Sequence, residues 1–312
     1  MVVERPGSRD ALHLTFLERA RLGETEVRLR VEAAGANPVD ASNRADPSWA
    51  GISPPYVVGY ECSGVVLEVG ALVTDLTEGD EVWALLPVRG TRWGTYADEI
   101  VADALLVARR PTMITSLEAA VLPLAGATAL QLLDRLDPAP GDWVLVHGAA
   151  GGVGHLFVQL ARSRGARIAA PASPARHDLL RSLGVEVIVD RHRADALQQA
   201  RDRAGVEFAS CADFVGRQLI AASLPFLAEG GRAGSIVELT GDYEEAVDRN
   251  LTLHGVLVRP GRRSLRELGE VVADDALRPH IADVVPLEEC RRAHERLETG
   301  SGQGKIAVAV TA

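Results

Sequence analysis

Apolar and polar residues change their spacing near residue 116. Up to about residue 110, apolar residues alternate with polar ones or form short runs, as in EVRLRVEAAG, CSGVVLEVG and GDEVWALLP. Turn signals such as Pro54-Pro55 separate these runs, and the combination predicts β-strands. The first helix-period run of useful length begins at Ser116, and we expect a capped helix from there to Leu136.

Beyond that helix, short apolar runs alternate with helix-period segments. WVLVHG, ARIAAPA and VEVIVD predict buried strands, and VGHLFVQLARSRG and PARHDLLRSLG predict the helices between them. The alternation continues to a helix expected from Ser264 to Asp274, and GKIAVAV predicts a last strand that returns to the early β-rich part. This order predicts an α/β fold whose parallel sheet carries helices on both faces.

Size and composition limit the classes of protein that remain. A chain of 312 residues exceeds one typical core, so we expect two domains. The 33 basic and 43 acidic residues give a net charge of −10, which argues against non-specific nucleic-acid binding and against docking on anionic membranes. No signal segment is expected, and the apolar run 121–133 is too short for a membrane span. The three distant cysteines, Cys62, Cys211 and Cys290, suit a reducing cytoplasm.

A glycine-rich stretch, HGAAGGVG, joins the strand WVLVHG to the next helix. Gly148, Gly151 and Gly154 form a GxxGxxG pattern there, which taken alone could be a simple strand-to-helix turn. In this position glycines let backbone N–H groups approach a pyrophosphate at a helix N-terminus. We therefore predict a dinucleotide cradle, with candidate residues Gly148, Ala149, Gly151, Gly152, Val153 and Gly154.

The residues after the next strand favour one dinucleotide. An NAD site usually has an acidic residue about twenty positions beyond the glycines, to bind the ribose 2′-hydroxyl. Here Ser173 and Arg176 occupy that region, no acid occurs before Asp178, and Arg191 follows the third strand. A hydroxyl with guanidinium groups suits a 2′-phosphate, so we predict NADPH. The alternative is that both arginines are only solvated surface residues.

Nine motifs spread over nearly the whole chain resemble one family. They are EAAGANPVD, PYVVGYECSGVVLEVG, GDEVWAL, GTYADE, LPLAGATALQLL, HGAAGGVG, SPARHDLLRSLG, ADFVG and GQGKIAVAV. In order and content they resemble the zinc-independent quinone oxidoreductase branch of the medium-chain dehydrogenase/reductase superfamily. The resemblance implies a GroES-like β-barrel domain, 1–115 plus 279–312, into which a doubly wound Rossmann domain, 116–278, is inserted. It also implies a homodimer.

The zinc-ligand motif of that superfamily is altered. Zinc-dependent relatives carry Gly-His-Glu, whereas this chain has Gly59-Tyr60-Glu61, and GANPVDASNRAD contains no cysteine. The cysteine cluster of a structural zinc lobe is also missing between Val82 and Tyr96. Since a tyrosine does not replace neutral imidazole as an ordinary zinc ligand, we expect no metal.

The resemblance also suggests residues near the reacting groups. Asn37 matches a family position at the cleft near the nicotinamide, where its amide could donate to the substrate oxygen or orient the cofactor, or it could only start the turn before Pro38. Tyr60 could donate a hydrogen bond or a proton, or it could fill the space of the absent metal. Arg44 is a possible substrate or cofactor contact, or a solvated arginine. Thr128 matches a residue that packs by the nicotinamide, or it is a plain helix residue.

These features predict an NADPH-dependent oxidoreductase that transfers a hydride, without metal, to a quinone or an α,β-unsaturated carbonyl compound. Two alternatives stay open. One is an NADPH-binding protein of the same fold with little or no turnover. The other is an enoyl reductase of specialised metabolism that acts in trans, because SPARHDLLRSLG also resembles the enoyl-reductase modules of polyketide synthases.

Overall fold

The computed structural model describes residues 1–300 and 302–310, and the chain divides into two compact units. The first unit contains Met1–Ala127 and the chain from Arg259 onward, and the second is Thr128–Val258. The structure thus groups 116–127 and 259–278 with the β-rich unit, whereas the sequence placed them with the dinucleotide domain. The division into compact units follows contacts within this chain, whereas the predicted domain boundaries follow the resemblance to a family. The boundaries after 115 and after 278 therefore stay a prediction.

Sixteen strands are present in the described residues. In chain order they are β1 (Val2–Val3), β2 (Leu12–His13), β3 (Glu26–Ala36), β4 (Tyr56–Val57), β5 (Glu61–Val69), β6 (Glu81–Leu85), β7 (Glu99–Asp103), β8 (Val107–Arg109), β9 (Trp143–His147), β10 (Arg167–Ala172), β11 (Val187–Asp190), β12 (Phe208–Asp213), β13 (Leu227–Ser235), β14 (Thr252–Gly255), β15 (Ile281–Pro286) and β16 (Lys305–Ala309).

Ten α-helices are present in the same described ranges. They are α1 (Pro38–Ala45), α2 (Ser116–Ala120), α3 (Pro123–Leu136), α4 (Gly154–Ser163), α5 (His177–Ser182), α6 (Ala196–Ala204), α7 (Leu219–Ser223), α8 (Glu244–Asp248), α9 (Arg262–Ala273) and α10 (Cys290–Thr299).

The second unit is built on a six-stranded parallel sheet. Its strand order is β11-β10-β9-β12-β13-β14. From β9, the chain first adds β10 and β11 on one side and then β12, β13 and β14 on the other. Right-handed crossovers in opposite directions place helices on opposite faces of a sheet. All five residues of β9 are buried, as expected for a central strand covered on both faces. The predicted doubly wound α/β fold is confirmed.

The first unit contains a seven-stranded mixed sheet. Along its main path the order is β15-β16-β3-β5-β6-β8, and β7 also pairs with β3. Strand β16 pairs antiparallel with β3, with Val308 opposite Ala34. The prediction that GKIAVAV returns to the early β-rich part is therefore confirmed. A smaller antiparallel sheet, β2-β1-β4, belongs to the same unit.

The helix expected from Ser116 to Leu136 is two helices. Helix α2 ends at Ala120, and α3 begins at Pro123, because proline is favourable at the first position of a helix and unfavourable in its interior. The cap is Thr115, whose Oγ1 accepts from Glu118 N at 3.2 Å while Glu118 Oε2 accepts from Thr115 N at 2.8 Å. This reciprocal pair is a capping box.

One helix was not expected, and another lies close to its expected bounds. Helix α1 was not predicted, because Asn-Pro often starts a turn, yet Pro38 is the first residue of this helix. Helix α9 begins at Arg262 and ends at Ala273, close to the expected bounds, and packs against β8 and β6 of the first unit. As for membranes, no helix among the described residues has both the length and the apolar character needed to span one.

Candidate functional site

The glycine-rich loop lies between β9 and α4 in the second unit. Gly148 has a φ of 73°, a left-handed conformation that glycine adopts readily. A Cβ atom on Gly154 would lie 2.1 Å from the carbonyl oxygen of Gly148, so only glycine fits there. A Cβ atom on Gly151 would meet only that same oxygen, at 3.1 Å, and would otherwise point into open space. The loop geometry thus requires Gly148 and Gly154, but leaves room beside Gly151.

Backbone donors of this loop remain available to a ligand. Within residues 1–300 and 302–310, the N–H groups of Ala149, Ala150, Gly152 and Val153 have no protein acceptor. The ten-residue helix α4 begins directly after them, at Gly154. Unpaired N–H groups and the positive end of a helix dipole together favour a phosphate group. The loop fits the pyrophosphate of a dinucleotide.

Two buried histidines support the loop, a role that the sequence did not predict for either. His155 Nδ1 lies 2.8 Å from the carbonyl oxygen of Gly151, and His147 Nε2 lies 2.7 Å from Ser223 Oγ on α7. Burial lowers the pKa of His147 to about 4, so its imidazole is neutral near pH 7. These contacts hold the two ends of the loop in place.

The structure brings the residues predicted for the 2′-phosphate to the ends of neighbouring strands. Ser173 follows β10 and Arg191 follows β11, and the Arg191 backbone N–H donates to Ala172 O at 3.1 Å. Burial, and then the positive charge of Arg191, lower the pKa of Arg176. A hydroxyl and guanidinium groups at the ends of neighbouring strands suit a phosphate group.

Thr128, the remaining cofactor candidate, lies within α3 and is buried, with 5% of its surface exposed. It is the first residue of the second unit.

In the first unit, a buried ion pair joins several elements. Glu61 Oε1 accepts from Lys305 Nζ at 2.8 Å and from Asn37 Nδ2 at 2.7 Å, and Glu61 Oε2 accepts from Leu124 N at 2.7 Å. Lys305 Nζ also donates to Asn37 Oδ1. Both charged side chains are almost fully buried. Both the nitrogen and the oxygen of the Asn37 side-chain amide are therefore hydrogen-bonded within this network. This favours a positioning role for Asn37 over a direct contact with the substrate.

Asp40 lies beside this network, at the start of α1. Its Oδ2 accepts from Asn37 N at 2.7 Å, while its buried Oδ1 has no hydrogen-bond partner among the described residues. Burial is the largest effect on this carboxyl and raises its pKa to about 7. Asp40 thus titrates near neutral pH.

The other two catalytic candidates are held inside the first unit. The Tyr60 hydroxyl accepts from Asn43 Nδ2 at 2.5 Å, its ring is fully buried, and burial raises its pKa. Arg44 donates from Nε to Gly7 O at 3.0 Å and pairs through Nη1 with Glu298 at 2.7 Å. These contacts favour the space-filling interpretation of Tyr60 and a structural role for Arg44.

Sequence reasoning missed Glu61, Lys305 and Asp40 as members of a common network. Two signals were present. The spacing of Asn37 and Asp40 is that of a capping residue and its partner three positions on, and Lys305 is the one lysine of the whole sequence, placed in an apolar strand. As for metals, no group of three or more His, Cys, Asp or Glu side chains in the described ranges could hold an ion.

Comparison with known proteins agrees with this architecture. Residues 23–112 match the alcohol dehydrogenase GroES-like domain, and residues 183–308 match a family described as zinc-binding dehydrogenase. The quinone oxidoreductase of Coxiella burnetii has a similar structure, with a TM-score of 0.90, 30% identity, and coverage of 99% of this chain and 98% of the other.

Two curated relatives differ greatly in length. The NADPH-dependent alkenal/one oxidoreductase of Arabidopsis thaliana chloroplasts is 32% identical over 91% of this chain and 72% of its own. Polyketide synthase GfsB of Streptomyces halstedii is 36% identical over 99% of this chain, which spans only 6% of the synthase. These matches cover both units of the structure. The chain belongs to the medium-chain dehydrogenase/reductase superfamily, in its quinone oxidoreductase branch.

Proposed function

We propose that this protein is an NADPH-dependent reductase of quinones and α,β-unsaturated carbonyl compounds. The observation that carries the proposal is that the glycine-rich loop, Ser173 and Arg191 follow three neighbouring parallel strands, β9, β10 and β11, so that one edge of the sheet offers a dinucleotide both a pyrophosphate cradle and a 2′-phosphate site. The similarity to an enzyme named for NADPH and for alkenal and enone substrates supports both the cofactor and the class of acceptor.

In this proposal the bound cofactor supplies a hydride, and the protein binds and orients it. Backbone N–H groups of Ala149, Ala150 and Gly152 bind the pyrophosphate, and Ser173 with the two guanidinium groups binds the 2′-phosphate. Asn37 acts by positioning, Tyr60 fills space and Arg44 is structural, because their polar groups are already bound within the first unit. An acceptor that is already electrophilic needs no strong acid from the protein.

A second candidate is an enoyl reductase acting on a polyketide intermediate. The 36% identity to polyketide synthase GfsB over 99% of this chain favours it. The chemistry is the same reduction of a conjugated double bond, with an enoyl thioester as acceptor. We further propose that the protein is a homodimer, as the family resemblance implies, and that it is cytoplasmic, a location that its three distant cysteines suit.

The first experiment is a titration of the purified protein with NADPH and NADH, followed by nicotinamide fluorescence. An enone and 1,4-benzoquinone are then added to the same cuvette. Preferential NADPH binding with acceptor-dependent oxidation is expected. Binding without oxidation would support the alternative of an NADPH-binding protein with little or no turnover.

The charge reversal Arg176→Glu tests the cofactor assignment. Because a charge-assisted contact to the 2′-phosphate is lost, we expect NADPH affinity to fall at least about tenfold while NADH affinity changes little. Arg181→Glu is the matched control, since Arg181 is an exposed neighbour that pairs with Asp178. Equal losses for NADPH and NADH would contradict the role of Arg176.

A further inference from the structure

Two tryptophans lie at the surface of the first unit, and an arginine stacks on each of them. Trp49 and Trp93 are 40% and 41% exposed, whereas the other two tryptophans of the chain are buried. The guanidinium carbon of Arg89 lies 5.0 Å from the centre of the Trp49 ring, and that of Arg92 lies 4.7 Å from the centre of the Trp93 ring. These distances are those of cation–π pairs. We call Trp49, Arg89, Arg92 and Trp93 the tryptophan–arginine patch.

Backbone contacts hold the two parts of the patch together. Gly90 N donates to Ala50 O at 2.8 Å, and Val57 N donates to Arg92 O at 2.9 Å. The Arg92 side chain adds a third contact, from its Nε to Pro55 O at 2.9 Å. The two chain segments that carry the patch are therefore bound side by side.

The patch is positively charged on a protein whose net charge is −10. Segments 47–60 and 86–97 contain two arginines and no aspartate or glutamate. Asp46, the acid that directly precedes the first segment, accepts a hydrogen bond from Ser48 N at 2.9 Å. Within the described ranges, neither arginine of the patch pairs with a carboxylate. The patch thus offers two positive charges that the protein does not neutralise locally.

The geometry of the two arginines suits an anion. Stacking on an aromatic ring leaves the edge of a guanidinium group free to donate hydrogen bonds. Among the described residues, the Arg89 guanidinium group donates to no protein acceptor, and that of Arg92 uses only its Nε. The rings also restrict the two long side chains, so less rotamer freedom is lost when an anion binds.

The patch adjoins Tyr60 within the same unit. Asn43 Nδ2 donates to Tyr60 OH at 2.5 Å and to Val88 O at 3.1 Å, and Arg89 is the next residue. Leu86 N also donates to Tyr60 O at 2.7 Å. Tyr60 stands where zinc-dependent relatives have a zinc-ligating histidine, so we expect this part of the first unit to face the acceptor.

We propose that the tryptophan–arginine patch is a subsite for an anionic group on the acceptor. The preferred acceptors are then unsaturated carbonyl compounds that bear a carboxylate or a phosphate. The inference rests on the proposed function and deepens it, because it names a part of the acceptor that takes no part in hydride transfer. Carboxylates and phosphates both accept two parallel hydrogen bonds from a guanidinium group. The subsite lowers KM for such acceptors and leaves kcat unchanged.

The test compares three enones with the same reacting double bond: benzalacetone, its 4-carboxylate and its 4-phosphate ester. At saturating NADPH, we expect the wild-type KM for both anionic enones to be at least about tenfold below that for benzalacetone, with similar kcat. Added salt should weaken this preference, because both arginines are exposed. The lower KM of the two anionic enones identifies whether a carboxylate or a phosphate is the better group.

Variants of the patch separate charge from stacking. The double variant Arg89→Glu plus Arg92→Glu should raise KM for the anionic enones at least about tenfold, and leave KM for benzalacetone and for NADPH unchanged. Trp49→Ala keeps Arg89 but removes its ring, so KM for the anionic enones should rise by a smaller factor. Arg109→Glu is the matched control, since Arg109 is an exposed arginine of the same unit, at 59%, and should keep the wild-type preference. Melting temperatures close to that of the wild type verify that the variants fold.

A second measurement does not depend on turnover. The exposed tryptophans of the chain are those of the patch, so a ligand that binds there should quench tryptophan fluorescence. Titration with 4-(3-oxobutyl)benzoate, the reduced form of the enone carboxylate, should give saturable quenching in the wild-type protein. The double variant should give none.

The outcomes separate the two proposals. Equal KM for charged and neutral enones in the wild type, or a preference that survives in the double variant, would overturn the anion subsite while NADPH oxidation still supported the proposed function. Oxidation with none of the acceptors would overturn the proposed function. The fluorescence titration would then decide the subsite, because absent quenching in the wild type, or equal quenching in the double variant, contradicts it.

Discussion

The buried Glu61 carboxylate connects three elements of the first unit. It accepts hydrogen bonds from Asn37 at the start of α1, from Leu124 at the start of α3 and from Lys305 at the start of β16. A carboxylate is fully buried without large cost only when its lone pairs are bound and its charge is paired, and all three contacts serve this purpose. One side chain thus fixes the starts of three elements.

Removing the cation from this pair is expected to be costly. Lys305→Met leaves the Glu61 carboxylate buried and uncompensated, and should lower the free energy of unfolding by about 3–5 kcal/mol. Urea unfolding followed by circular dichroism measures the change. Arg109→Met removes an exposed cation from its pair with Asp80 and should cost about 1 kcal/mol or less. Similar losses of unfolding free energy in the two variants would contradict the prediction that the buried Lys305–Glu61 pair contributes more than the exposed one.

Asp40 predicts a pH dependence of stability. Its pKa is about 7 in the folded protein and 3.8 when unfolded, so between these values the folded state binds more protons. Its contribution to stability is therefore fully present below about pH 4 and is lost as the pH rises through 7. Asp40→Asn should remove this loss and gain about 2–4 kcal/mol relative to wild type between pH 4 and pH 8.

The comparison that checks this prediction is the unfolding free energy of both proteins at several pH values. Burial lowers the pKa of His294 to about 3, so the protonation of His294 destabilises the folded protein in acid, opposite to the effect of Asp40. Both proteins contain His294, so its contribution cancels when their unfolding free energies are subtracted. A difference that stays constant with pH would show that Asp40 keeps an ordinary pKa.

At the scale of elements, the alternating strands and helices of the second unit could be predicted, but the helix that begins at Pro38 could not. Alternating strands and helices predicted the parallel sheet around β9, because each strand is a continuous apolar run bounded by turn signals. Helix α1 was missed because Pro38 is equally consistent with a turn and with a first helical residue. The contact between Glu61 and Lys305 could not be predicted, since one sequence does not tell which distant polar residues meet in the core.

The glycine-rich loop predicts different outcomes for two of its glycines. In Gly154→Ala the new Cβ would clash with Gly148 O at 2.1 Å, so the melting temperature should fall clearly, with a cost of about 2 kcal/mol or more. In Gly151→Ala the Cβ would make a single tight contact, with Gly148 O at 3.1 Å, so folding should be retained at a small cost while NADPH affinity falls because the methyl group occupies the cradle.

Thermal melts and NADPH titrations of both variants distinguish these effects. Gly255→Ala, in β14, is the control, because its Cβ would make only an ordinary contact with Leu239 at 3.5 Å. If Gly151→Ala kept full NADPH affinity, the dinucleotide cradle would be contradicted and the loop would be a simple strand-to-helix turn.

At the scale of the whole molecule, the family and the fold class followed from the order of motifs, and the metal content is still a prediction. Tyr60 stands where zinc-dependent relatives have histidine, and its hydroxyl is held by Asn43. The match of residues 183–308 to a family described as zinc-binding makes a direct measurement worthwhile.

Chelation is expected to leave the protein unchanged. After dialysis against EDTA, the melting temperature and the rate of NADPH oxidation should equal those of untreated protein, because this donor set lacks the His and Cys ligands that zinc prefers. Mass spectrometry of the digested protein should find zinc well below one atom per chain. A loss of activity that added zinc restores would refute the prediction.

The position of β16 between β15 and β3 has a consequence for synthesis on the ribosome. The six strands of the second unit lie within residues 143–255 and can pair as soon as that stretch has emerged. The first unit cannot complete its sheet until Ile306–Ala309 reach the edge of β3 at Ala33–Ala36. Until then the nascent chain exposes an open strand edge, the feature most prone to wrong pairing between chains. The first unit is therefore the first to begin synthesis and the last to complete its sheet, because β16 is synthesised last.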